Sequence, residues 1–442
     1  MHVVIIGNGI AGITAARELR KRSDCRITVI SKETDYFFSR TALMYVYMGH
    51  LKFEHTQPYE NWFWQKNRIE LIRGTVEAID FSERKLLLSS DSKTVIYQPT
   101  LLERLTKVAS KPATSTSQVR DLAYDKLIIA TGSVPRFGDW PNTHLDGVQG
   151  LYSFQDLEKL EQSSAGVKQA VIVGGGLIGA ELAEMLHSRG IRVTMLVRES
   201  SYWSSVLAPE ESALVTQHVQ KHGINLRFGC ELAEIQGTQK VERVITSQGE
   251  IIDCQLVGIS IGVEPNIDFL RTTSLETQRG ILVNEYLETN LPDIYAVGDG
   301  VEHRTPPQGR KSVEQIWYTG RIMGETVAQT IGGQRTPYRP GVFFNSAKFF
   351  DLEYQTYGEV PAQCPDGIQT FYWQHPTKEI AIRINYRQDT QAVTGFNALG
   401  VRLRHATCDA WIRQQRSLDY VLEHFQEADF NPEFFEKLRL SH

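Results

Sequence analysis

Six glycines, in two groups of three, are the residues of this chain whose spacing points most directly to chemistry. Gly7, Gly9 and Gly12 form one G-x-G-x-x-G run, and Gly174, Gly176 and Gly179 form a second far along the sequence. In such a run the first glycine permits a tight turn and the second lets backbone approach a pyrophosphate. The third lets a helix pack closely on a strand. The context on either side fits. Val3-Val4-Ile5-Ile6 and Ala170-Val171-Ile172-Val173 are short apolar runs that read as buried parallel strands, and Ile13 to Arg22 and Ala180 to Arg189 read as helices. The free N–H groups and positive dipole end of each helix then face the phosphate charge. Two dinucleotide sites in one chain imply a donor and an acceptor, and hence electron transfer.

Each fingerprint has a check near the end of its second strand, where an acidic side chain commonly holds ribose hydroxyls about 20 residues on. In the first unit the strand Arg26-Ile27-Thr28-Val29-Ile30 is followed by Ser31-Lys32-Glu33, which makes Glu33 the candidate ribose ligand. In the second, Arg192-Val193-Thr194-Met195-Leu196 is followed by Val197-Arg198-Glu199. Arg198 suits the extra phosphate of NADPH, whereas Glu199 suits the hydroxyls of NADH, so the sequence leaves both nucleotides open with a lean toward NADPH.

At this point the chain resembles the pyridine nucleotide–disulfide oxidoreductase superfamily, the flavoproteins with two dinucleotide-binding domains. The resemblance covers roughly residues 1–335. It is carried by the two fingerprints, by the Ala130-Thr131-Gly132 turn after Leu127-Ile128-Ile129, by Tyr295-Ala296-Val297-Gly298-Asp299, and by Ser260-Ile261-Gly262 in the return from the second unit. It implies an α/β architecture of two Rossmann-like domains with three-layer ββα topology, the NAD(P) domain inserted in the FAD domain. A small α+β C-terminal interface domain follows. The expected boundaries are 1–149 and 264–335 for the FAD domain, 150–263 for the NAD(P) domain and 336–442 for the last. The cofactors implied are FAD and, as co-substrate, NAD(P)H. Read across residue by residue, Gly7, Gly9, Gly12, Glu33, Ser39, Arg40, Val76, Ala130, Thr131, Gly132, Gly298, Asp299 and Val313 belong to FAD. Gly174, Gly176, Ile178, Gly179, Glu181, Arg198 and Gly262 belong to NAD(P)H.

Members of that superfamily which act through a disulfide carry a C-x-x-x-x-C pair on the helix after the second FAD strand, and single-cysteine members carry Ser-Cys. Here Tyr36-Phe37-Phe38-Ser39-Arg40 places an arginine at the cysteine position. A guanidinium forms neither a sulfenate nor a mixed disulfide, so thiol chemistry beside the flavin is not expected. Ser39-Arg40 instead resembles the motif of ferredoxin-, rubredoxin- and nitrite-reductase-type members, and Arg310-Lys311-Ser312-Val313-Glu314-Gln315 is similar to a run of the ferredoxin reductase branch. One departure stands out: that branch has a lysine where this chain has Tyr45, and the lysine's partner, Glu181, is kept. The function implied is an FAD-dependent NAD(P)H oxidoreductase. Hydride passes from NAD(P)H to FAD, and electrons leave to a small redox protein (rubredoxin or ferredoxin-like) or a small-molecule acceptor. No side chain is expected to act as catalyst. The alternative is an NAD(P)H-responsive sensor or assembly protein resembling apoptosis-inducing factor.

Composition agrees. A chain of 442 residues holds about three domains, and a formal net charge of −5 gives no sign of nucleic-acid binding. No apolar run is long enough to span a bilayer, and the N-terminus reads as strand rather than a signal peptide. Five cysteines without C-x-x-C spacing fit a reducing cytoplasm and offer no metal framework. A homodimer is left open. The stretch 101–118, loop-like at its end, reads as a solvated insertion or a docking element. Near the C-terminus, 368–373 and 379–386 read as paired strands and 404–426 as helical, with His405, Cys408 and Trp411 on one face. A packed core face is the expected reading of those three, ahead of a metal site.

Overall fold

The computed structural model describes residues 1–97 and 120–430, and the insertion expected over 101–118 lies outside them. The chain divides into two compact units. One comprises Met1–Val134, Tyr152–Leu157 and Val263–Pro340, and the other Pro135–Leu151, Glu158–Gly262 and Gly341–His442.

In the first unit a six-stranded sheet runs in the order Ile294–Ala296, Lys126–Ile129, His2–Ile6, Arg26–Ser31, Ile69–Arg73, Lys93–Val95. All neighbours are parallel except the last pair. The apolar run beginning at Val3 is the reason His2–Ile6 lies centrally: Val3, Val4 and Ile5 have no exposed surface. Each such side chain contributes about 1.5–3 kcal/mol on burial. Helix Ile10–Arg22 packs against helix Trp317–Ile331. At Gly324 the approach is so close that a Cβ would strike the Ala11 carbonyl oxygen. A separate antiparallel sheet of Val76–Asp80, Lys85–Leu88 and Asp121–Ala123 carries Val76 at its start.

The second unit repeats the design. Its parallel sheet has the order Val148–Gln149, Leu256–Ile259, Gln169–Val173, Arg192–Val197, Asn225–Phe228. The same unit contains a five-stranded antiparallel sheet, ordered Phe344–Phe349, Leu352–Gly358, Val393–Leu399, Ala381–Arg387, Ile368–Gln374. The strands expected over 368–373 and 379–386 are the antiparallel pair at its edge. The helical stretch expected over 404–426 is two helices, His405–Arg413 and Leu418–Glu423, followed by a short 3-10 turn at Phe425–Glu427. The break falls at Gln415, whose positive φ of 54° no continuing helix accommodates.

Candidate functional site

The expected FAD residues of the first unit gather where four parallel strands end. Residues 7–12 follow His2–Ile6, Glu33 follows Arg26–Ser31, 130–132 follow Lys126–Ile129, and 298–299 follow Ile294–Ala296. The carboxyl edge of such a sheet is where open α/β folds bind ligands. The three fingerprint glycines there do different work. Gly7 has φ +113°, and a Cβ on it would strike the Ala130 carbonyl oxygen; a Cβ on Gly12 would strike the Gly7 carbonyl oxygen. Among the described residues, a Cβ on Gly9 meets nothing within 4 Å. Two glycines are thus required by packing, while the third opens a cradle beside the uncapped start of helix Ile10–Arg22. Thr131 Oγ1, in the 130–132 turn that packs on Gly7, is buried without a hydrogen-bond partner among the described residues. Open backbone and an unanswered hydroxyl fit a dinucleotide pyrophosphate.

Glu33 and Arg40 are each other's partner. Arg40 Nη1 donates to Glu33 Oε1 at 2.7 Å and Nη2 to Oε2 at 2.7 Å, a bidentate fork. Arg40 Nη1 also donates to the Tyr152 carbonyl at 2.6 Å, and its guanidinium lies 4.4 Å from the centre of the Tyr152 ring. The Phe154 N–H donates to Glu33 Oε1 at 2.9 Å. Burial works against the Arg40 charge, but the hydrogen bonds and charge of Glu33 prevail and hold its pKa above the ordinary value. Ser39, beside it, donates its N–H to the Thr56 carbonyl at 2.8 Å.

Asp299 stands on the same network. Its Oδ2 accepts from Ser133 Oγ at 3.2 Å and lies 3.5 Å from the Tyr152 hydroxyl, while Gln315 Nε2 donates to Ser133 Oγ at 2.8 Å. Burial pushes the Asp299 carboxyl up, against the pull of Ser133, Arg40 and Tyr152. Burial, helped by the Asp299 charge, pushes the Tyr152 hydroxyl up to about 12, so it stays a neutral donor at physiological pH. Val313 lies half-buried in the loop leading to Gln315, and Gly298 turns at φ +82°. Tyr152 and Phe154 were not singled out in the sequence, because they fall in the stretch expected to open the NAD(P) domain. The structure groups Tyr152–Leu157 with the first unit. No local motif marks that return.

The second unit has the same cradle. A Cβ on Gly174 (φ +115°) would strike the Ser260 carbonyl oxygen and one on Gly179 the Gly174 carbonyl oxygen, while Gly176 faces open space. Ser260 Oγ donates to the carbonyls of Val173 (3.0 Å) and Gly174 (3.2 Å) and clamps the turn. Ile178 is half-buried in the first turn of helix Leu177–Ser188. Gly262, at φ +110°, also has no neighbour within 4 Å of a Cβ. Arg198 extends into solvent with 72% of its side chain exposed, 3.6 Å from Glu199. Glu181 is half-buried, and burial together with the nearby Glu184 charge pushes its carboxyl up to about 7 against the opposing pull of Lys348. Lys348, which donates to Glu184 at 2.8 Å, supplies the cation near Glu181 that Tyr45 cannot. It comes from the strand Phe344–Phe349, remote in sequence.

None of the five cysteines is disulfide-bonded. Cys25 precedes the strand Arg26–Ser31 and so lies at the amino end of the sheet, away from the Gly9 cradle. Cys408 is fully buried in the core with Trp411, and burial pushes its thiol up, whereas His405 is exposed and meets the Phe344 ring edge-on with centres 4.6 Å apart. The expected core face therefore holds for Cys408 and Trp411 and not for His405, which stands at the exposed start of the helix.

The sequence profile of the family described as Pyridine nucleotide-disulphide oxidoreductase matches residues 1–327. A curated relative, the NADH oxidase of Methanocaldococcus jannaschii, is 29% identical over 364 residues, covering 80% of this chain and 75% of that protein. The rubredoxin-NAD(+) reductase of Ectopseudomonas oleovorans is 27% identical over 358 residues, covering 80% and 86% respectively. Among solved structures, the ferredoxin reductase for the CYP199A2 system from Rhodopseudomonas palustris matches with a TM-score of 0.77 and 24% identity, covering 98% of this chain and 96% of that one. That structural likeness bears on the fold. The chain belongs to the pyridine nucleotide-disulphide oxidoreductase family and is an FAD-dependent oxidoreductase that uses NAD(P)H.

Proposed function

We propose that the chain delivers reducing equivalents from NAD(P)H, by way of bound FAD, to a small one-electron carrier of the rubredoxin or ferredoxin type. The observation that carries this reading is the pair of open glycine cradles at Gly9 and Gly176, each at the carboxyl edge of its own parallel sheet. Bound FAD supplies a group that accepts hydride and releases single electrons. The side chains bind and orient. Gly9 and Thr131 take the FAD pyrophosphate at the turn that Gly7 and Gly12 allow to close, Glu33 and Arg40 the adenosine side, and Asp299 the ribityl chain. Gly176 and Arg198 take the nicotinamide nucleotide at the turn that Gly174 and Gly179 allow to close. The domain division that goes with these roles is FAD over 1–149 and 264–335, NAD(P) over 150–263, and an interface domain over 336–442. The carrier assignment draws on the similarity to a rubredoxin-NAD(+) reductase. It also draws on Arg40, which is committed to Glu33 and Tyr152 where single-cysteine relatives place a thiol. Five unpaired cysteines support a reducing, cytoplasmic setting.

The test is steady-state reduction of an artificial electron acceptor by NAD(P)H, with the wild type and with a variant in which all five cysteines are serine. Both should turn over repeatedly, within a fewfold of each other. Loss of turnover in a folded, FAD-loaded serine variant argues for thiol chemistry. A wild type that is reduced once and then persists as a long-lived reduced complex argues for a sensor.

A further inference from the structure

The second unit brings His218, His222 and Asp351 together, with one ligand atom from each lying within 4.8 Å of the others. His218 sits near the end of helix Pro209–Lys221, and His222 caps it four residues on, so both rings share one face. Asp351 arrives from the two-residue turn between strands Phe344–Phe349 and Leu352–Gly358. That turn is held in an unusual conformation: Phe350, a bulky aromatic residue, has φ +58°. Its buried ring stacks on His222 at 4.5 Å and 25°, which pins the carboxylate of the next residue toward the helix.

The hydrogen bonds fix what the three groups present to one another. His218 Nδ1 lies 2.6 Å from the Glu379 carboxylate, and His222 Nδ1 lies 3.1 Å from the His218 carbonyl. Both partners only accept, so in each neutral ring the proton resides on Nδ1 and Nε2 carries a lone pair. Those two Nε2 atoms lie 3.0 Å and 3.1 Å from the same oxygen, Asp351 Oδ1. His218 Nε2 is buried and has no hydrogen-bond partner among the described residues, and the whole side chain is 5% exposed. With both rings neutral, three acceptors converge with no donor between them. A tetrahedral ion bonded at about 2.0–2.1 Å holds its ligand atoms about 3.3 Å apart, close to the observed spacing.

We propose that His218, His222 and Asp351 form a binding site for a divalent first-row cation, zinc above all, with Glu379 as the positioning residue that orients the His218 ring. Two imidazoles and a carboxylate suit zinc better than calcium or magnesium, which take mainly oxygen ligands. A carboxylate on the far nitrogen of a ligating histidine is the usual outer partner of such sites. Asp351 is 79% exposed, so solvent has access to the fourth position. The ion ties the hairpin of the C-terminal sheet to helix Pro209–Lys221 and needs no redox role.

The test uses tag-free, FAD-loaded full-length protein, stripped with a chelator and titrated with Zn²⁺ by calorimetry, with metal content measured after desalting. One Zn²⁺ per chain is expected. His222→Gln and Asp351→Asn alter half-exposed and exposed positions and should keep the fold, checked by circular dichroism and flavin absorbance, while weakening zinc binding at least a hundredfold. Glu379→Gln should weaken it about ten- to a hundredfold. Co²⁺ in place of Zn²⁺ should give the visible bands of a tetrahedral site in the wild type and not in His222→Gln. No zinc bound by the wild type, or unchanged stoichiometry and affinity in folded His222→Gln or Asp351→Asn, overturns the proposal.

Discussion

Arg198, which we propose sets nucleotide preference, stands exposed just beyond the strand Arg192–Val197, 3.6 Å from Glu199. A guanidinium gains two charge-assisted hydrogen bonds from the 2′-phosphate of NADPH and nothing comparable from the hydroxyl of NADH. Such bonds are worth roughly 1.5–3 kcal/mol. Arg198→Ala should accordingly raise the NADPH Michaelis constant about ten- to a hundredfold and leave the NADH value nearly unchanged. Equal losses with both nucleotides, or none, would hand the role to Glu199 and make NADH the natural donor. Glu181 gives a second prediction, read through pH. Its folded carboxyl is pushed up to about 7 from an ordinary 4.5, so the folded state prefers the protonated form. Below pH 4.5 both folded and unfolded chains hold the proton and nothing is lost. Between 4.5 and 7 the unfolded chain ionises first and stability falls, and above 7 the whole penalty, up to about 3 kcal/mol, is present. Glu181→Gln, measured without nucleotide, should match the wild type near pH 4.5 and exceed its stability progressively up to pH 8. A stability difference that stays constant over that range would show that the carboxyl does not titrate there.

At the scale of elements, each strand–turn–helix unit has two fingerprint glycines fixed by packing and one facing open space, the proposed cradle, and two single substitutions separate these roles. Gly9→Ala adds a methyl to open space at an extended φ of −70° and ψ of −179°, so the fold should be unaffected within about 0.5 kcal/mol. The same methyl fills the cradle, and FAD should be lost on gel filtration. Gly12→Ala drives its methyl into the Gly7 carbonyl oxygen and should destabilise the apoprotein by about 1–3 kcal/mol or more. Thermal melts of the two apoproteins beside their FAD content check both halves, and a destabilised Gly9→Ala would contradict the assignment of Gly9 to the cradle. These units were legible in sequence because everything that defines them lies within about thirty residues: the apolar run, the glycine spacing, the helix and the next strand. The Glu33–Arg40 fork was not legible as a pair. It closes across an irregular loop with no periodicity to announce it, although each residue was named for its motif. Tyr152 and Phe154 were invisible because they return to the first unit from a stretch that reads as the start of the second. Lys348 beside Glu181, and Asp351 beside two histidines, come from a sheet more than a hundred residues away, and spacing carries no information at that separation. The histidine pair itself, four apart on a helix, was the one readable trace of the proposed cation site.

At the scale of the whole molecule, one open glycine cradle in each unit, and an arginine in the first where a redox cysteine is expected in thiol-using members, support the proposed relay through flavin. Family membership leaves room for different electron acceptors, as the similarity to both an NADH oxidase and a rubredoxin-NAD(+) reductase makes plain. A single-electron carrier and dioxygen make opposite demands. The first needs a reduced flavin that waits for its partner, and the second one that reacts on contact with air. The most direct measurement is therefore anaerobic oxidation of NADH and NADPH by the FAD-loaded protein with and without added rubredoxin or a small ferredoxin, set beside oxidation by air alone. Sustained turnover that rises with carrier concentration and saturates, with slow reoxidation by air, is the expected result. Rapid reoxidation by air and no stimulation by either carrier would contradict it.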